Sequence, residues 1–311
     1  MEIIKSVPIE YSKMRFDKVS SLIFNEFSRT QIKKWIIEGR ILLNDELALP
    51  KDIVYEEDEI RINPISEEKT NWTPQDILIE VIDEQKDYII INKQSNLIMH
   101  PGAGCNDGTL ANGLLFHYPE LRNIPRAGIV HRLDKDTSGL LLIAKTEKFR
   151  NYFVDLLQKR MVTKKYYAIV VGKVIGSFDI NDPIGRDKTN RTKMSVRVDG
   201  KKAETFVHAK EIFKNYSLLD VSIKSGRTHQ IRVHLSSKKY PIIGDKTYNP
   251  AKNISKGTNE YLKEILHEFP RQALHSYHLS FKEFETNELK TYTLDIPDDM
   301  KNLINALKKH I

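Results

Sequence analysis

At 311 residues, with 40% hydrophobic and 29% charged side chains, the chain is long enough for more than one domain with a sizeable core, and its composition is that of an ordinary globular protein. Net charge is +7, but residues 1–70 hold 11 Lys+Arg against 14 Asp+Glu and the remainder 38 against 28, so the field that favours a polyanionic partner belongs to the larger part. One cysteine, Cys105, excludes an intramolecular disulfide and a multi-cysteine metal site, and with neither a signal-peptide pattern nor an apolar run near the roughly 20 residues of a membrane span, cytoplasm is the expected location.

The first unit runs from Arg15 to Ile62. Phe16, Val19, Leu22, Ile23 and Phe27 recur at helical spacing. Ser28 is placed to cap a second helix whose apolar face is Ile32, Trp35 and Ile36 and which Gly39 ends. Ile41–Leu43 and Asp58–Ile62 follow as strands. Arg29, Lys33, Lys34 and Arg40 gather on the solvent side of the second helix, which is either a solvated face or one that meets phosphate. Arg15-Phe16-Asp17, Ser28-Arg29, Gly39-Arg40-Ile41, Leu43-Asn44 and Asp58-Glu59-Ile60 resemble the S4 RNA-binding domain. That resemblance implies that Arg29, Lys33, Lys34 and Arg40 contact RNA phosphates, which position a protein without reading sequence.

Residues 65–76 are polar and aperiodic and read as a linker. Ile77–Asp83 and Tyr88–Asn92 then read as strands, Thr109–Tyr118 as a helix stopped by Pro119, and Leu140–Ala144 as a short buried strand. His100-Pro101-Gly102-Ala103-Gly104 lacks the Gly-Lys-Ser/Thr ending of a phosphate loop. Phe149–Lys159 looks helical and Lys164–Gly172 forms a strand. Residues 186–202 carry Arg186, Lys188, Arg191, Lys193, Arg197, Lys201 and Lys202 against Asp187 and Asp199, a loop or hairpin that either clamps an RNA backbone or is merely solvated. Leu218–Lys224 is a strand leading to Thr228, placed as the cap of a helix that carries His229, Arg232 and His234. Gly244–Tyr248 reads as a loop, 251–268 as partly helical, and Met300, Leu303, Ile304 and Leu307 as the core stripe of a terminal helix.

The stretch that carries chemistry is His131-Arg132-Leu133-Asp134-Lys135-Asp136-Thr137-Ser138-Gly139, a polar knot at the start of the buried strand, where a rigid scaffold presents functional groups. A guanidinium beside Asp134 would favour its carboxylate and grip it bidentately. Tyr166 would add a flat face for stacking. Asp134, Arg232 and Tyr166 together would make a pocket for a nucleobase taken out of its stack.

His131-Arg132-Leu133-Asp134 with Thr137-Ser138-Gly139-Leu140, Lys165-Tyr166 with Ala168 and Gly172, and Gly226-Arg227-Thr228-His229-Gln230-Ile231-Arg232 look like the signature motifs of RluA-type pseudouridine synthases. Pro101–Gly104, Pro125–Gly128 and Arg271–His275 agree as well; Ser276 departs, standing where the family usually has Ala. The resemblance implies an α+β protein. An S4-like RNA-binding domain over 1–64 and the linker 65–76 would precede a catalytic domain over 77–311, built on a mixed, mainly antiparallel sheet with flanking helices. It implies that Asp134 is the catalytic aspartate, that Tyr166 stacks on the base and assists proton transfer, and that Arg232 pairs with Asp134. Arg132 would help displace the flipped uridine, Leu274 would line the pocket, and Arg227 and His229 would bind substrate. It further implies a monomer acting on large-subunit ribosomal RNA or its precursor, in the helix 69 stem-loop, with no metal, nucleotide or other cofactor and no membrane.

Three other readings remain. The same chemistry could serve a different ribosomal or transfer RNA site. The scaffold could be a non-catalytic RNA-binding ribosome assembly factor, although such a protein has no need of an acid in a basic groove. His131, Asp134 and Asp136 could form a hydrolase centre, which a chelator would silence if a metal were involved.

Overall fold

In the computed structural model the described residues are 2–309 except 26, 28, 64–71, 103, 191 and 252. The expected cap Ser28, much of the expected linker, Ala103 and Arg191 thus lie outside them. The chain divides into two compact units, Met1–Asn71 and Trp72–Ile311.

In the first unit β1 (Ile3–Ser6), β2 (Met14–Arg15), α1 (Phe16–Ile23), α2 (Arg29–Ile37), β3 (Ile41–Leu43), β4 (Ile53–Val54) and β5 (Glu59–Ile62) follow in order. β5 is the centre of an antiparallel β1-β5-β3 sheet. The helical spacing found in the sequence resolves as a core in which Phe16, Val19, Ile32, Trp35 and Ile36 are buried with Ile41, Ile60 and Ile62.

The second unit contains β6 (Glu80–Glu84), β7 (Tyr88–Lys93), α3 (Leu110–His117), β8 (Ser138–Ala144), α4 (Glu147–Gln158), β9 (Thr163–Val171) and β10 (Ser177–Ile180). These are followed by β11 (Ile184–Arg186), β12 (Met194–Val196), β13 (Thr205–Phe213), β14 (Tyr216–Ile223), α5 (Gln230–Ser237), α6 (Glu260–Glu268), β15 (Leu274–Lys282), β16 (Leu289–Thr293) and α7 (Asp298–Lys308). Among the described residues a nine-stranded sheet runs β10-β13-β14-β9-β15-β8-β7-β6, with β16 also on β15. Every pairing in it is antiparallel except β8 with β15. The mixed, mainly antiparallel sheet with flanking helices is therefore as expected. β8 is buried at every residue, which explains its unbroken apolar run. Gly139, at φ +113°, makes the parallel contact possible, since a Cβ there would lie 2.2 Å from the Ser276 carbonyl oxygen.

Two expected boundaries move. The first strand begins at Glu80 rather than Ile77, because the backbone at Ile77 is taken up by the helix beside it. His117 Nε2 bonds the Ile77 carbonyl at 3.0 Å, and Gly113 leaves only 3.0 Å between its would-be Cβ and that of Ile77. The helix near Thr228 starts at Gln230, with His229 as its left-handed N-cap (φ 56°) and no side-chain cap bond. Gln230 instead braces the turn that leads into the helix: its Oε1 accepts from Arg227 N at 3.1 Å and from Ser225 Oγ at 2.8 Å. No described helix is long and apolar enough to cross a membrane.

Candidate active site

The polar loop Arg132–Thr137, the inward face of β9, the start of β15 and the start of α5 meet around a cleft of about 600 Å³. Among the described residues Asp134 is the one carboxylate that lines it, against Arg126, Arg132, Arg160, Lys164, Lys224, Arg227 and Arg232. Tyr166 and Leu274, 5% and 4% exposed, form its apolar wall. The cleft thus gathers Asp134, Tyr166, Arg232, Arg132, Arg227, His229 and Leu274, which in sequence span more than a hundred residues.

Asp134 and Arg232 do pair, but not as the sequence suggested. Arg232 gives Asp134 one bond only, Nη1 to Oδ2 at 2.8 Å. The bidentate grip goes to Asp245, with Nε and Nη2 at 2.7 and 2.9 Å from its two oxygens. Asp245 belongs to the loop Gly244–Tyr248, which carries no motif-like signal, and its side chain is 0% exposed. Burial alone would push its carboxyl up; the hydrogen bonds and charge of Arg232 outweigh that and hold it below the ordinary value. Burial likewise works against the charge on Arg232, yet Asp245 and then Asp134 keep it firmly protonated. Arg232 is therefore fixed from behind by a buried acid and offers its remaining edge to Asp134. Gly244 permits this approach, because a Cβ there would fall 1.9 Å from the Arg271 carbonyl oxygen.

Tyr248 completes the support. Its ring lies 5.1 Å under the Arg232 guanidinium carbon. Its hydroxyl accepts from Met194 N and bonds His229 Nδ1, both at 2.9 Å. The other ring nitrogen, His229 Nε2, faces Asp134 Oδ1 at 4.0 Å. Burial lowers the His229 pKa, with Asp134 opposing the fall. Tyr166 is shifted the other way: burial raises its phenol, so at ordinary pH it is a proton donor and not a phenolate. Ser276 stands directly opposite Tyr166 in the β9–β15 register, and its hydroxyl works against that rise.

The loop that presents Asp134 is held at several backbone points. Lys93 Nζ donates to the Lys135 carbonyl at 3.0 Å, Leu97 N to the same oxygen at 3.2 Å, and Thr137 N to the Asp134 carbonyl at 3.1 Å. Arg271, doubly bonded to Asp299 of α7 at 2.6 and 2.9 Å, reaches the Asp136 and Leu274 carbonyls. Thr137 accepts from Gln272, and Ser138 Oγ bonds His275 Nδ1 at 2.9 Å. The Asp136 carbonyl and the Thr137 and Ser138 side chains thus hold the turn. Such bracing keeps a reactive group within the tolerance that chemistry requires.

His131 is no metal ligand in this arrangement. Its Nε2 accepts the Leu142 N–H at 2.9 Å, and burial pushes it down to about 3. His275 is pushed down to about 4, again mainly by burial. No group of three or more His, Cys, Asp or Glu that could hold a metal occurs among the described residues. Both imidazoles stay neutral when folded but titrate near ~6.5 when unfolded. Their contribution to stability is therefore complete above the unfolded value and is lost as the pH falls, by about 1.4 kcal/mol per pH unit for each. The urea midpoint of the chain is expected to drop between pH 7 and pH 5, and His131→Gln, which can still accept from Leu142, is expected to flatten that drop.

The other expected contacts are partly satisfied within the protein. Arg227 Nε donates to the Lys202 carbonyl at 3.2 Å, while among the described residues no hydrogen bond or ion pair holds the Arg132 guanidinium on the exposed rim. In the first unit Arg29 is tied to the buried Asp17 at 2.9 Å. Lys34 and Arg40 flank Glu38 at 3.6 Å each, and Lys33 has no ion pair among the described residues. β11 and β12 pair antiparallel; just beyond β12, Arg197 pairs with Asp199, and Arg186, Lys188, Lys201 and Lys202 are exposed.

A family described as RNA pseudouridylate synthase matches residues 87–237, the span that holds Asp134, Tyr166 and Arg232. The "Ribosomal large subunit pseudouridine synthase D" of Vibrio parahaemolyticus is 40% identical over 95% of this chain and 91% of its own. The protein of that name from Escherichia coli K12 is 39% identical over 94% and 90%. Human RNA Pseudouridylate Synthase Domain Containing 4 superposes with a TM-score of 0.57 at 21% identity over 74% of this chain and 93% of its own; Domain Containing 1 gives 0.55 at 22% over 74% and 95%. With motifs, cleft and identity over nine-tenths of both sequences in agreement, the chain belongs to the RNA pseudouridine synthases, in their RluA branch.

Proposed function

We propose that this enzyme isomerises uridine to pseudouridine in ribosomal RNA of the large subunit, at uridines of the helix 69 stem-loop, and that Asp134 is its catalytic aspartate. One observation carries the reading most: among the described residues that line the cleft, the charged groups are a single carboxylate, aimed by a fixed guanidinium, and a surrounding set of Arg and Lys side chains. A polyanion enters such a cleft readily, and a base flipped out of a single-stranded loop brings its glycosidic bond to the acid.

In the reaction the bond from C1′ to N1 breaks, the uracil turns, and C5 bonds to C1′; C5 loses its proton and N1 gains one. Attack on C1′, attack on the ring, or removal of a C2′ proton each needs the Asp134 carboxylate aimed at its target, which the Arg232 bond provides. Tyr166 offers its ring to the base and its proton to the exchange. Arg132, unrestrained on the rim, takes the space the uridine leaves, while Arg227, His229 and Leu274 border the bound nucleotide. Atoms balance without metal, nucleotide or redox cofactor. The first unit serves as an S4-like RNA-binding domain, with Lys33, Lys34 and Arg40 toward phosphates and Arg29 partly committed to Asp17. Such an enzyme works as a monomer in the cytoplasm.

The names borne by its relatives support the ribosomal target. Mapping pseudouridine across ribosomal and transfer RNA from cells with and without this protein tests it. Loss confined to helix 69 is expected. Loss at another ribosomal or transfer RNA position would move the target while keeping the chemistry, and no loss anywhere would overturn the reading.

A further inference from the structure

Lys164 is two residues before Tyr166 on β9, so both side chains leave the same face of the sheet, toward the cleft. It is 7% exposed, and burial pushes its amine down to about 8, with no acid opposing the fall. Among the described residues its ammonium has neither a hydrogen-bond nor an ion-pair partner. It is not one of the polar atoms sealed from all access either, so it opens onto the cleft it lines. Lys93, the other buried lysine beside this site, is spent on two backbone carbonyls. A buried cation without a counter-charge is costly, and such groups persist where a partner arrives from outside.

The place in the cleft says which part of a nucleic acid that partner is. Gly226 faces Lys164 with no side chain: a Cβ there would stand 3.5 Å from Nζ. Lys224 and Arg227, which bracket that glycine, line the same cleft. An amine beside bare backbone and two further cations suits a phosphate better than a neutral base edge.

We propose that the Lys164 ammonium binds a non-bridging oxygen of the phosphodiester next to the flipped uridine, anchoring that nucleotide while Asp134 acts at its sugar–base bond. This rests on the function proposed above. It makes Lys164 a substrate-binding residue that sets how firmly the target nucleotide is held.

The test uses the full chain and an RNA stem-loop of helix 69 sequence under single-turnover conditions. Lys164→Met is expected to raise the RNA concentration for half-maximal rate by roughly 10- to 100-fold, the worth of one charge-assisted bond. It should leave the saturating rate within about threefold and reduce the salt dependence of binding by about one unit of slope. Lys164→Arg should restore most of the affinity. A stem-loop with one neutral methylphosphonate beside the target uridine should bind wild type more weakly by a similar factor and bind Lys164→Met no more weakly than the unmodified RNA.

Wild-type affinity and salt slope in Lys164→Met would overturn the proposal. So would a fall in saturating rate at unchanged affinity, which would assign the amine to the base, or a methylphosphonate penalty of equal size in both proteins. The thermal midpoint of Lys164→Met is expected to equal or exceed that of wild type, because a buried charge is removed; a fall in midpoint with unchanged RNA binding would mark the lysine as structural. If wild type makes no pseudouridine in this RNA, the target assignment fails, while the binding comparison with the methylphosphonate still decides the role of Lys164.

Discussion

Asp134→Asn is expected to abolish pseudouridine formation, by about 10⁴-fold or more, with RNA binding retained or tightened. The substitution is nearly isosteric and leaves Arg232 its two bonds to Asp245, so no buried cation is orphaned and the fold is kept. It also removes the one negative charge among the described side chains that line the cleft, which favours the polyanion. Tritium release from 5-tritiated uridine in the stem-loop reads the chemistry, and a gel shift reads the binding. Activity within tenfold of wild type would refute the catalytic assignment. Loss of binding together with activity would favour a role for Asp134 in the architecture.

Arg232→Met should have the largest effect on stability. Asp245, with its side chain 0% exposed, would keep only the Thr247 and Tyr248 amides at 2.9 and 3.0 Å. Breaking one side of a buried pair costs roughly 3–5 kcal/mol, and at about 2–4 °C per kcal/mol for a unit of this size the thermal midpoint should fall by roughly 10 °C. Removing both charges with Arg232→Met and Asp245→Leu should recover much of that stability, because the fully buried Asp245 carboxylate is no longer left without its counter-charge. Activity should stay lost in the double variant, since Asp134 has no guanidinium to aim it. Recovered activity there would show that Arg232 serves the fold alone.

The two roles of Arg232 mark where the sequence was legible and where it was not. Asp134, Tyr166 and Arg232 stand in dense local motifs, and the buried run of β8 and the helical stripes of α1, α2 and α7 announce themselves by periodicity. Asp245 does not. It is a lone acid in a short loop, and only the fold shows that Gly244 lets this loop pass the Arg271 carbonyl and deliver a carboxylate behind the site. Lys93, Lys164 and Arg271 were hidden for a related reason. Charged residues in sequence are read as solvent-facing by default, and their burial follows from sheet pairings between distant segments. The bidentate grip expected for Asp134 failed because a second acid, invisible to spacing, competes for the same guanidinium. Thr228 lost its capping role because the helix starts later, at Gln230, behind a left-handed His229.

The parallel contact of β8 with β15 bears on when during synthesis the enzyme becomes competent. Ser138 and His275 are separated by 137 positions, so the strand that follows the Asp134 loop gains its second neighbour only after β9 to β14 and α5 have been made. Closing so long a loop is slow relative to forming the β7–β8 pair, which is local. The last brace on the loop, Arg271, is itself anchored by Asp299 near the C-terminal helix. A growing chain can therefore complete its first unit while its cleft is still unassembled. Chemistry is withheld until α7, with Asp299, has been made and can anchor Arg271.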